Sequence, residues 1–320
     1  MPIASTIDYL PVMDEFIAHW NATNDALIIA EDGVAVSLDD FGDLRTTLDT
    51  AKSLLQVRLN DLEGSRVTLE QARGGAGDRV AEFNRRIRAD FPNNAAFSRL
   101  PTVPNRSGGR DAFLDAMDDT LDLWSRVNAL PPSPIFTAPL LLPGGLTRVQ
   151  FQTLRTALDT AFTNRGNAEN AVAAQRITRN GLQDRAKSLM VTYRLKVEAL
   201  YAPESPQVTT LPRLTPVAGS TPDPVALTAA WDAADLRAEL TWTASEEPEL
   251  ASYQVRAVPG PDYATDDETL LATIPPNAPR TYQSAAGLAL PGTAMSYKIY
   301  VRLTTGNESG SNPQTVVRPV

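Results

Sequence analysis

The chain has 320 residues, of which 42% are hydrophobic and 21% are charged, and its formal net charge is −9 at pH 7. This length allows two or three domains with cores of their own. The negative charge argues against a nucleic-acid partner, because neutralising phosphates needs clustered lysines and arginines. No apolar run is long enough to cross a membrane, and the start carries no secretory signal. We therefore expect a soluble chain without membrane insertion.

The chain contains no cysteine and a single histidine, His19. This composition excludes disulfides, thiol nucleophiles, thiolate metal sites and every site built from several histidines. His19 lies beside the apolar stripe of its predicted helix, so we interpret it as a surface residue. The sequence therefore predicts no catalytic residue, no metal site and no cofactor, and we expect no enzyme.

The first predicted element is a short helix from about Ile7 to Ala26, with Trp20 on its apolar stripe. The connector that follows, residues 27–37, carries Ile28 and Ile29 ahead of Asp32-Gly33. An Asp-Gly pair between apolar flanks closes a small hairpin. Such a hairpin would offer free strand edges for pairing within or between chains.

A long helix is predicted next, over residues 38–90. Apolar side chains recur there at a spacing of seven residues, as in a coiled coil, at Phe41, Leu48, Leu55, Leu62, Leu69, Ala76 and Phe83. This pattern predicts a helix about 80 Å long. The glycines in Gly74–Gly77 weaken a helix interior by roughly 3 kcal/mol in total. The pattern keeps its register across them, which favours a continuous helix; a hairpin bent at the glycines is the alternative.

The helical region is duplicated. Residues 41–51 recur as residues 151–161 with eight of eleven positions identical, and Trp20 is matched by Trp124. The repeat predicts two units, residues 1–107 and 108–201, each with a short helix, a connector and a long helix. In the second unit these are residues 111–129, 130–146 and 147–200. We interpret the two tryptophans as core anchors.

The short helices are too short to cover the long ones. At about 1.5 Å per residue they reach roughly 30 Å. The rest of the apolar seam must therefore pack against the other copy or against another molecule.

Residues 202–223 form a proline-rich linker, which we expect to act as a semi-rigid spacer. Residues 224–320 alternate apolar and polar positions in short segments that predict strands of a sandwich. Trp242, Tyr253, the turn at Leu290–Thr293 and Tyr297 resemble the corresponding positions of a fibronectin type III domain. The resemblance implies a binding or spacer module, often extracellular or on virions. The Arg-Gly-Asp adhesion triplet is absent, so integrin-type binding is not implied.

Three sequence patterns that resemble functional sites have simpler interpretations. An acidic helix face lacks the loop of a calcium site and is interpreted as solvated surface; it consists of Asp111, Asp115, Asp118, Asp119 and Asp122. Asp40-Phe41-Gly42 matches a kinase motif in letters only, and Gly74–Gly77 lacks the ending of a phosphate loop.

The predicted fold class is multidomain: an all-α, duplicated long-helix bundle followed by an all-β, fibronectin type III-like sandwich. We hypothesise a non-enzymatic structural protein that associates with itself in a filament, tube or surface assembly, with the sandwich outside. The alternative is a binding adaptor, including a phage or injection-device component, whose sandwich captures a protein or glycan. Tyr263, Tyr282 and Tyr300 are candidate aromatic contacts for it. The C-terminal module favours an extracellular, surface or virion location; the sequence leaves the partner, the assembly symmetry and the export route open.

Overall fold

The computed structural model describes residues 2–24, 26–92, 94, 97–133, 135–219 and 221–320. Its helices are α1 (Tyr9–Asn24), α2 (Leu38–Asp90), α3 (Arg110–Asn128), α4 (Arg148–Leu200) and α5 (Pro206–Thr209). Its strands are β1 (Ile29–Glu31), β2 (Val34–Val36), β3 (Leu227–Asp232), β4 (Arg237–Trp242), β5 (Leu250–Pro259), β6 (Thr269–Ile274), β7 (Thr281–Ser284), β8 (Ala294–Leu303), β9 (Glu308–Gly310) and β10 (Gln314–Val317). The predicted fold class, long helices followed by a C-terminal antiparallel sandwich, is confirmed. The predicted end of the first helix and the predicted linker include Asp25 and Ser220, which lie outside the described residues.

Both long helices begin at the same kind of cap. The Ser37 hydroxyl accepts the backbone N–H of Asp40 at 3.2 Å, and the Asp40 carboxylate accepts the N–H of Ser37 at 2.8 Å. Thr147 and Gln150 form the matching pair at 3.2 and 2.8 Å. This reciprocal capping satisfies N–H groups that a first helical turn leaves free. Each helix then continues for 53 residues, so α2 passes through Gly74–Gly77 without a break and the alternative of a bent hairpin is wrong.

The chain divides into two compact units, Met1–Glu63 with Ala171–Val320 and Gly64–Asn170. We call them the first and the second compact unit. Both divisions fall inside the long helices, so each unit contains one part of α2 and one part of α4. The compact units therefore cut across the repeat units at residues 1–107 and 108–201, which remain a prediction about duplication in the sequence.

The core of the first compact unit is centred on Trp20. Its indole stacks on Tyr193 at a centroid distance of 4.6 Å and lies 6.0 Å from Phe41. The indole N–H donates to the carbonyl of Leu27 at 3.0 Å, which ties the connector to α1. Trp20 is buried. It therefore joins α1 to the start of α2 and to the C-terminal part of α4.

The second compact unit repeats this arrangement around Trp124. Its ring lies 5.3 Å from Phe83 and 5.7 Å from Phe151, and its N–H donates to Leu140 O at 3.1 Å. Trp124 thus joins α3 to the end of α2 and to the start of α4. The interpretation of both tryptophans as core anchors is confirmed by their burial.

The heptad seam of α2 is covered within the same chain. Buried seam residues include Phe41, Leu48, Leu55, Leu69, Ala76 and Phe83. Their neighbours in the cores come from α1, α3, α4 and the connectors. Of the two partners predicted for this seam, the other copy and another molecule, the structure shows the other copy, because the antiparallel partner of α2 is the other long helix.

The connector after α1 forms the predicted hairpin. Strands β1 and β2 pair antiparallel, with Glu31 opposite Val34. Asp32 and Gly33 have φ values of +50° and +82°. Positive φ at both central residues is the requirement of the tight turn that matches strand twist.

The sandwich consists of a sheet in the order β3-β4-β7 and a sheet in the order β10-β8-β5-β6, with β9 also paired to β8. Its core contains Trp242, Tyr253 and Tyr297, all buried. The proline-rich segment before it packs on the helices instead of standing off as the expected spacer. Leu211 joins the core around Trp20, and the carbonyl of Pro212 accepts a hydrogen bond from Arg194.

Candidate binding sites

Within the first compact unit, the sandwich is fixed to the helices by buried polar contacts. Arg302 on β8 forms an ion pair with Asp8 at 2.6 Å, and both side chains are buried. The backbone N–H of Ala294 donates to Glu63 of α2 at 2.7 Å. A buried ion pair is maintained only when both charges keep their partners. The sandwich is therefore held against the helices and does not project from them on a spacer.

A cleft lies where α1, α2 and α4 meet residues 267–270 of the sandwich. We call it the helix–sandwich cleft, and its volume is about 600 Å³. The apolar part of its lining consists of Ile7, Leu10, Leu55, Leu59 and Leu270, with Pro11. The lining also contains carboxylates, arginines and one lysine, so the cleft is amphipathic.

Two acidic side chains of the cleft belong to a buried network with arginines. Asp267 accepts hydrogen bonds from Arg176 Nε at 3.0 and 3.1 Å and lies 3.6 Å from Arg179. Glu268 accepts from Arg256 at 3.0 Å. Burial disfavours the charge of Arg256, but its hydrogen bonds and its attraction to nearby glutamates keep its pKa above the ordinary value. Both carboxylates at this end of the cleft are therefore paired with arginines.

The lysine of the cleft is Lys52 on α2. Its ammonium donates to the backbone carbonyl of Thr6 at 3.1 Å. Burial, together with repulsion from Arg179, lowers the pKa of Lys52 to about 8. Among the residues that the structure describes, no carboxylate lies within ion-pairing distance of this ammonium. Lys52 is therefore a cation held in a partly apolar cleft, and Asp49 and Asp8 attract it from beyond ion-pairing distance.

Sequence reasoning missed Lys52, although the repeat contains a signal for it. The matched segments 41–51 and 151–161 are followed by Lys52 in one copy and by Phe162 in the other. Phe162 packs against the apolar core of the second compact unit. A lysine at the position equivalent to an aromatic residue that packs on a core is unusual, because a charge is costly to bury.

A second candidate site is a shallow groove between the hairpin and α4. We call it the hairpin groove, and it is lined by Ile28, Ile29, Ala30, Gly33, Ala35, Thr192, Leu195, Lys196 and Ala199. Ile28 is 54% exposed and Leu195 is 62% exposed. Lys196 is the one charged residue in this lining. The groove is therefore an exposed and mostly apolar surface.

His19 is not the surface residue that the sequence predicted. It is only 9% exposed, with Nδ1 at 2.8 Å from Tyr193 Oη and Nε2 at 3.0 Å from Gln207 O. The prediction was wrong because it considered α1 alone. Two later segments of the chain, the end of α4 and the start of the proline-rich segment, cover the face on which His19 lies.

The three candidate tyrosines of the sandwich do not form an exposed face. Tyr300 is buried, and Tyr263 and Tyr300 both donate hydrogen bonds to Glu268. Burial and the negative charge of Glu268 raise the pKa of Tyr263. Tyr282 is half-buried and packs against the sandwich core. Two of the three therefore belong to the buried network and are not available for stacking on a ligand.

In the acidic face of α3, Asp118 forms an ion pair at the helix surface. Asp118 pairs with Arg155 at 2.9 Å, the counterpart of the pair between Asp14 and Arg45 in the first copy. Over the described residues, no group of three or more His, Cys, Asp or Glu side chains could hold a metal ion. Among the same residues, no helix is both long enough and apolar enough to span a membrane.

No protein-family model matches the chain, and no curated protein matches it. Solved structures with partial likeness include an Fn3-like protein from Clostridium thermocellum, at 24% identity and a TM-score of 0.25, covering 32% of this chain and 97% of that one. Pectate lyase PelI from Erwinia chrysanthemi is 19% identical over 29% of this chain and 28% of its own, with a TM-score of 0.25. Pectate lyase Pel3 from Pectobacterium carotovorum is 14% identical over 28% and 26%, with a TM-score of 0.23. This chain thus spans about a quarter of each lyase, and at these TM-scores the likenesses carry no argument about activity or partner.

Proposed function

We propose that this chain is a non-enzymatic structural protein that associates with itself through the hairpin groove, as a subunit of a filament, tube or surface assembly. The observation that carries the proposal is the exposure of Ile28 and Leu195 side by side in that groove. Large apolar side chains grouped on a surface are typical of interaction sites. With the heptad seam covered inside the chain, the groove takes the place of the seam as the contact surface.

A second copy of the chain fits this groove because of its backbone. Strands β1 and β2 form a two-stranded sheet, and among the described strands neither pairs with any other. Free edges present N–H and C=O groups that another strand satisfies. The hairpin edge of one copy can meet the groove of the next head to tail, a contact that repeats into a filament or tube instead of closing as a dimer. The nearly uncharged lining allows this approach in spite of a net charge of −9.

The sandwich is assigned, within this proposal, to the fibronectin type III family. Its strand order and its buried Trp242, Tyr253 and Tyr297 support the assignment. Such a domain on the outside of an assembly agrees with an extracellular, cell-surface or virion location. The fold by itself fixes no ligand.

The test is the molar mass of the purified protein across a concentration series in physiological salt, by light scattering and mass photometry. We expect the mass to rise with concentration for the natural chain and to stay that of a monomer for Leu195→Lys. Ile177→Lys is the matched control, because Ile177 also lies on α4, is 74% exposed and does not line the groove. A natural chain that stays monomeric at the highest concentration contradicts the proposal.

The second candidate function is a binding adaptor that captures a protein or glycan. The helix–sandwich cleft favours it, since a concave and partly apolar cavity is typical of a binding site. The same concentration series separates the two functions, because an adaptor of this kind stays monomeric without its ligand.

A further inference from the structure

Lys52 stands apart from the ion pairs of the helix–sandwich cleft. Asp14 and Asp49 both pair with Arg45, at 2.8 and 3.1 Å. At the other end of the cleft, Arg176 and Arg256 hold the carboxylates of Asp267 and Glu268, as described above. Among the described residues every acidic side chain of the lining is thus within ion-pairing distance of an arginine. Lys52 is the lining cation that makes no such pair, and Asp49 and Asp8 attract its ammonium from farther away.

The ammonium of Lys52 also has N–H donors that its contact with Thr6 does not use. It carries three N–H donors, and the contact to Thr6 O uses one of them. That carbonyl is shared with Gln183, whose amide donates to it at 3.3 Å. A bound anion could therefore accept from Lys52 without displacing a contact of the fold.

Next to this ammonium the cleft is lined by aliphatic side chains. Leu55 and Leu59 lie one and two helical turns along α2 from Lys52, and Ile7 and Leu10 face them from the start of the chain. A volume of about 600 Å³ lies within the range of pockets that hold small organic ligands. A lysine without an ion pair, beside the aliphatic part of the lining, is suited to a molecule with one anionic end and one apolar end.

We propose that the helix–sandwich cleft binds a small carboxylic acid with an aliphatic tail, with the carboxylate on Lys52 and the tail against Ile7, Leu55 and Leu59. Such a ligand would account for a lysine at the position where the other copy of the repeat has Phe162. The inference goes beyond self-association and does not depend on it, because the cleft and the hairpin groove share no residue.

The state of Lys52 in the free protein agrees with this site. The charged groups that act on its ammonium from the surrounding elements are Arg179, Asp49, Asp8 and Arg256. Burial is the largest influence, and it lowers the pKa of Lys52 to about 8. A carboxylate in contact would favour the charged form and raise that pKa again.

Calorimetric titration with octanoate tests the proposal on the full chain. We expect octanoate to bind and octylamine, which has the same tail and the opposite charge, not to bind. Lys52→Met should weaken octanoate binding at least tenfold, whereas Lys187→Met, which removes an exposed lysine that lines neither the cleft nor the hairpin groove, should leave it unchanged. Equal affinity of octanoate for the natural chain and for Lys52→Met, or no binding at all, overturns the proposal.

A second measurement uses the unaltered protein and so does not depend on how the variant folds. The chain has four lysines, and the other three, Lys187, Lys196 and Lys298, serve as internal references. Reductive methylation at pH 8, read by peptide mass spectrometry, reports the reactivity of each amine. We expect saturating octanoate to slow methylation of Lys52 at least fivefold and to leave Lys187 and Lys196 unaffected. A Lys52 rate that does not change on addition of octanoate overturns the proposal.

Discussion

His19 connects three segments of the chain through its neutral ring. A carbonyl only accepts hydrogen bonds, so Nε2 carries the proton given to Gln207 O, and Nδ1 accepts from the Tyr193 hydroxyl. Burial lowers the pKa of His19; the hydrogen bond to Gln207 opposes this, and the charge of Arg194 adds to it. The folded protein therefore takes up a proton at His19 less readily than the unfolded chain, where the pKa is about 6.5.

We expect this difference to appear as a loss of stability in mild acid. As the pH falls through about 6.5, the unfolded chain binds the proton first, and the free energy of unfolding decreases. His19→Gln removes the titration and should cost about 1–2 kcal/mol at neutral pH through altered buried hydrogen bonds. Urea unfolding of both proteins at neutral pH and at about pH 5.5 measures the effect, since histidine is the side chain that titrates in this interval.

Because the two proteins differ only at residue 19, comparing their loss of unfolding free energy in mild acid isolates the contribution of His19. The natural chain should lose more stability than the variant between the two pH values, because carboxylates contribute alike to both. An equal loss in both proteins would assign the acid sensitivity to another group.

At the scale of elements, the glycines of α2 weaken a helix that forms in spite of them. A Cβ atom added at Gly74, Gly75 or Gly77 meets no other atom within 4 Å. Alanine at each position should therefore stabilise the helix by about 1 kcal/mol, and the triple variant by roughly 2–3 kcal/mol. Denaturant unfolding gives the total, and slower amide hydrogen exchange around residue 75 would place the gain in α2.

Gly287→Ala is the control for this series, and we expect it to lower stability where the other variants raise it. Gly287 has a φ of +70°, and an added Cβ would overlap the side chain of Met295. We expect a loss of stability of more than about 1 kcal/mol there. If the triple variant in α2 also lost stability, the glycines would be required for a bend or contact that the continuous helix does not contain.

The two long helices were predictable from the sequence because each contains its own heptad pattern of apolar residues. The predicted ranges 38–90 and 147–200 compare with Leu38–Asp90 and Arg148–Leu200 in the structure. The hairpin was also predictable from neighbouring residues, because Asp32-Gly33 specifies the turn. Strands around Trp242 and Tyr253 followed from alternation, which is a property of neighbouring residues.

The binding cleft was not predictable in the same way. Arg176 and Asp267, which close one end of it, are separated by 91 positions in the sequence, and no periodicity links them. The docking of the sandwich on the helices, with Arg302 against Asp8, depends on such pairs. The one signal available was the exchange of Lys52 for Phe162 between the copies. Its meaning depends on the surroundings of each residue, and these are known only from the fold.

At the scale of the whole molecule, each repeat copy lacks part of a core. Trp20 of the first copy stacks on Tyr193 of the second, and Trp124 of the second packs on Phe83 of the first. Residues 1–107 alone would therefore expose both Trp20 and Phe83. Exposing core aromatic side chains of this size costs several kcal/mol each, which exceeds what a short helical fragment recovers from helix formation alone.

A cut between the copies should therefore leave the molecule assembled. A protease site inserted between Arg106 and Ser107 lies in an exposed loop, where chain breaks are tolerated. After cleavage we expect both fragments to elute together on gel filtration and to keep the fluorescence of buried tryptophan, because the contacts of Trp20 and Trp124 do not depend on that peptide bond. The uncleaved insertion variant is the control for the added residues. Fragments that separate under native conditions would mean that each copy buries its own aromatic side chains. The stacking of Trp20 on Tyr193 would then contribute little to the association of the two copies.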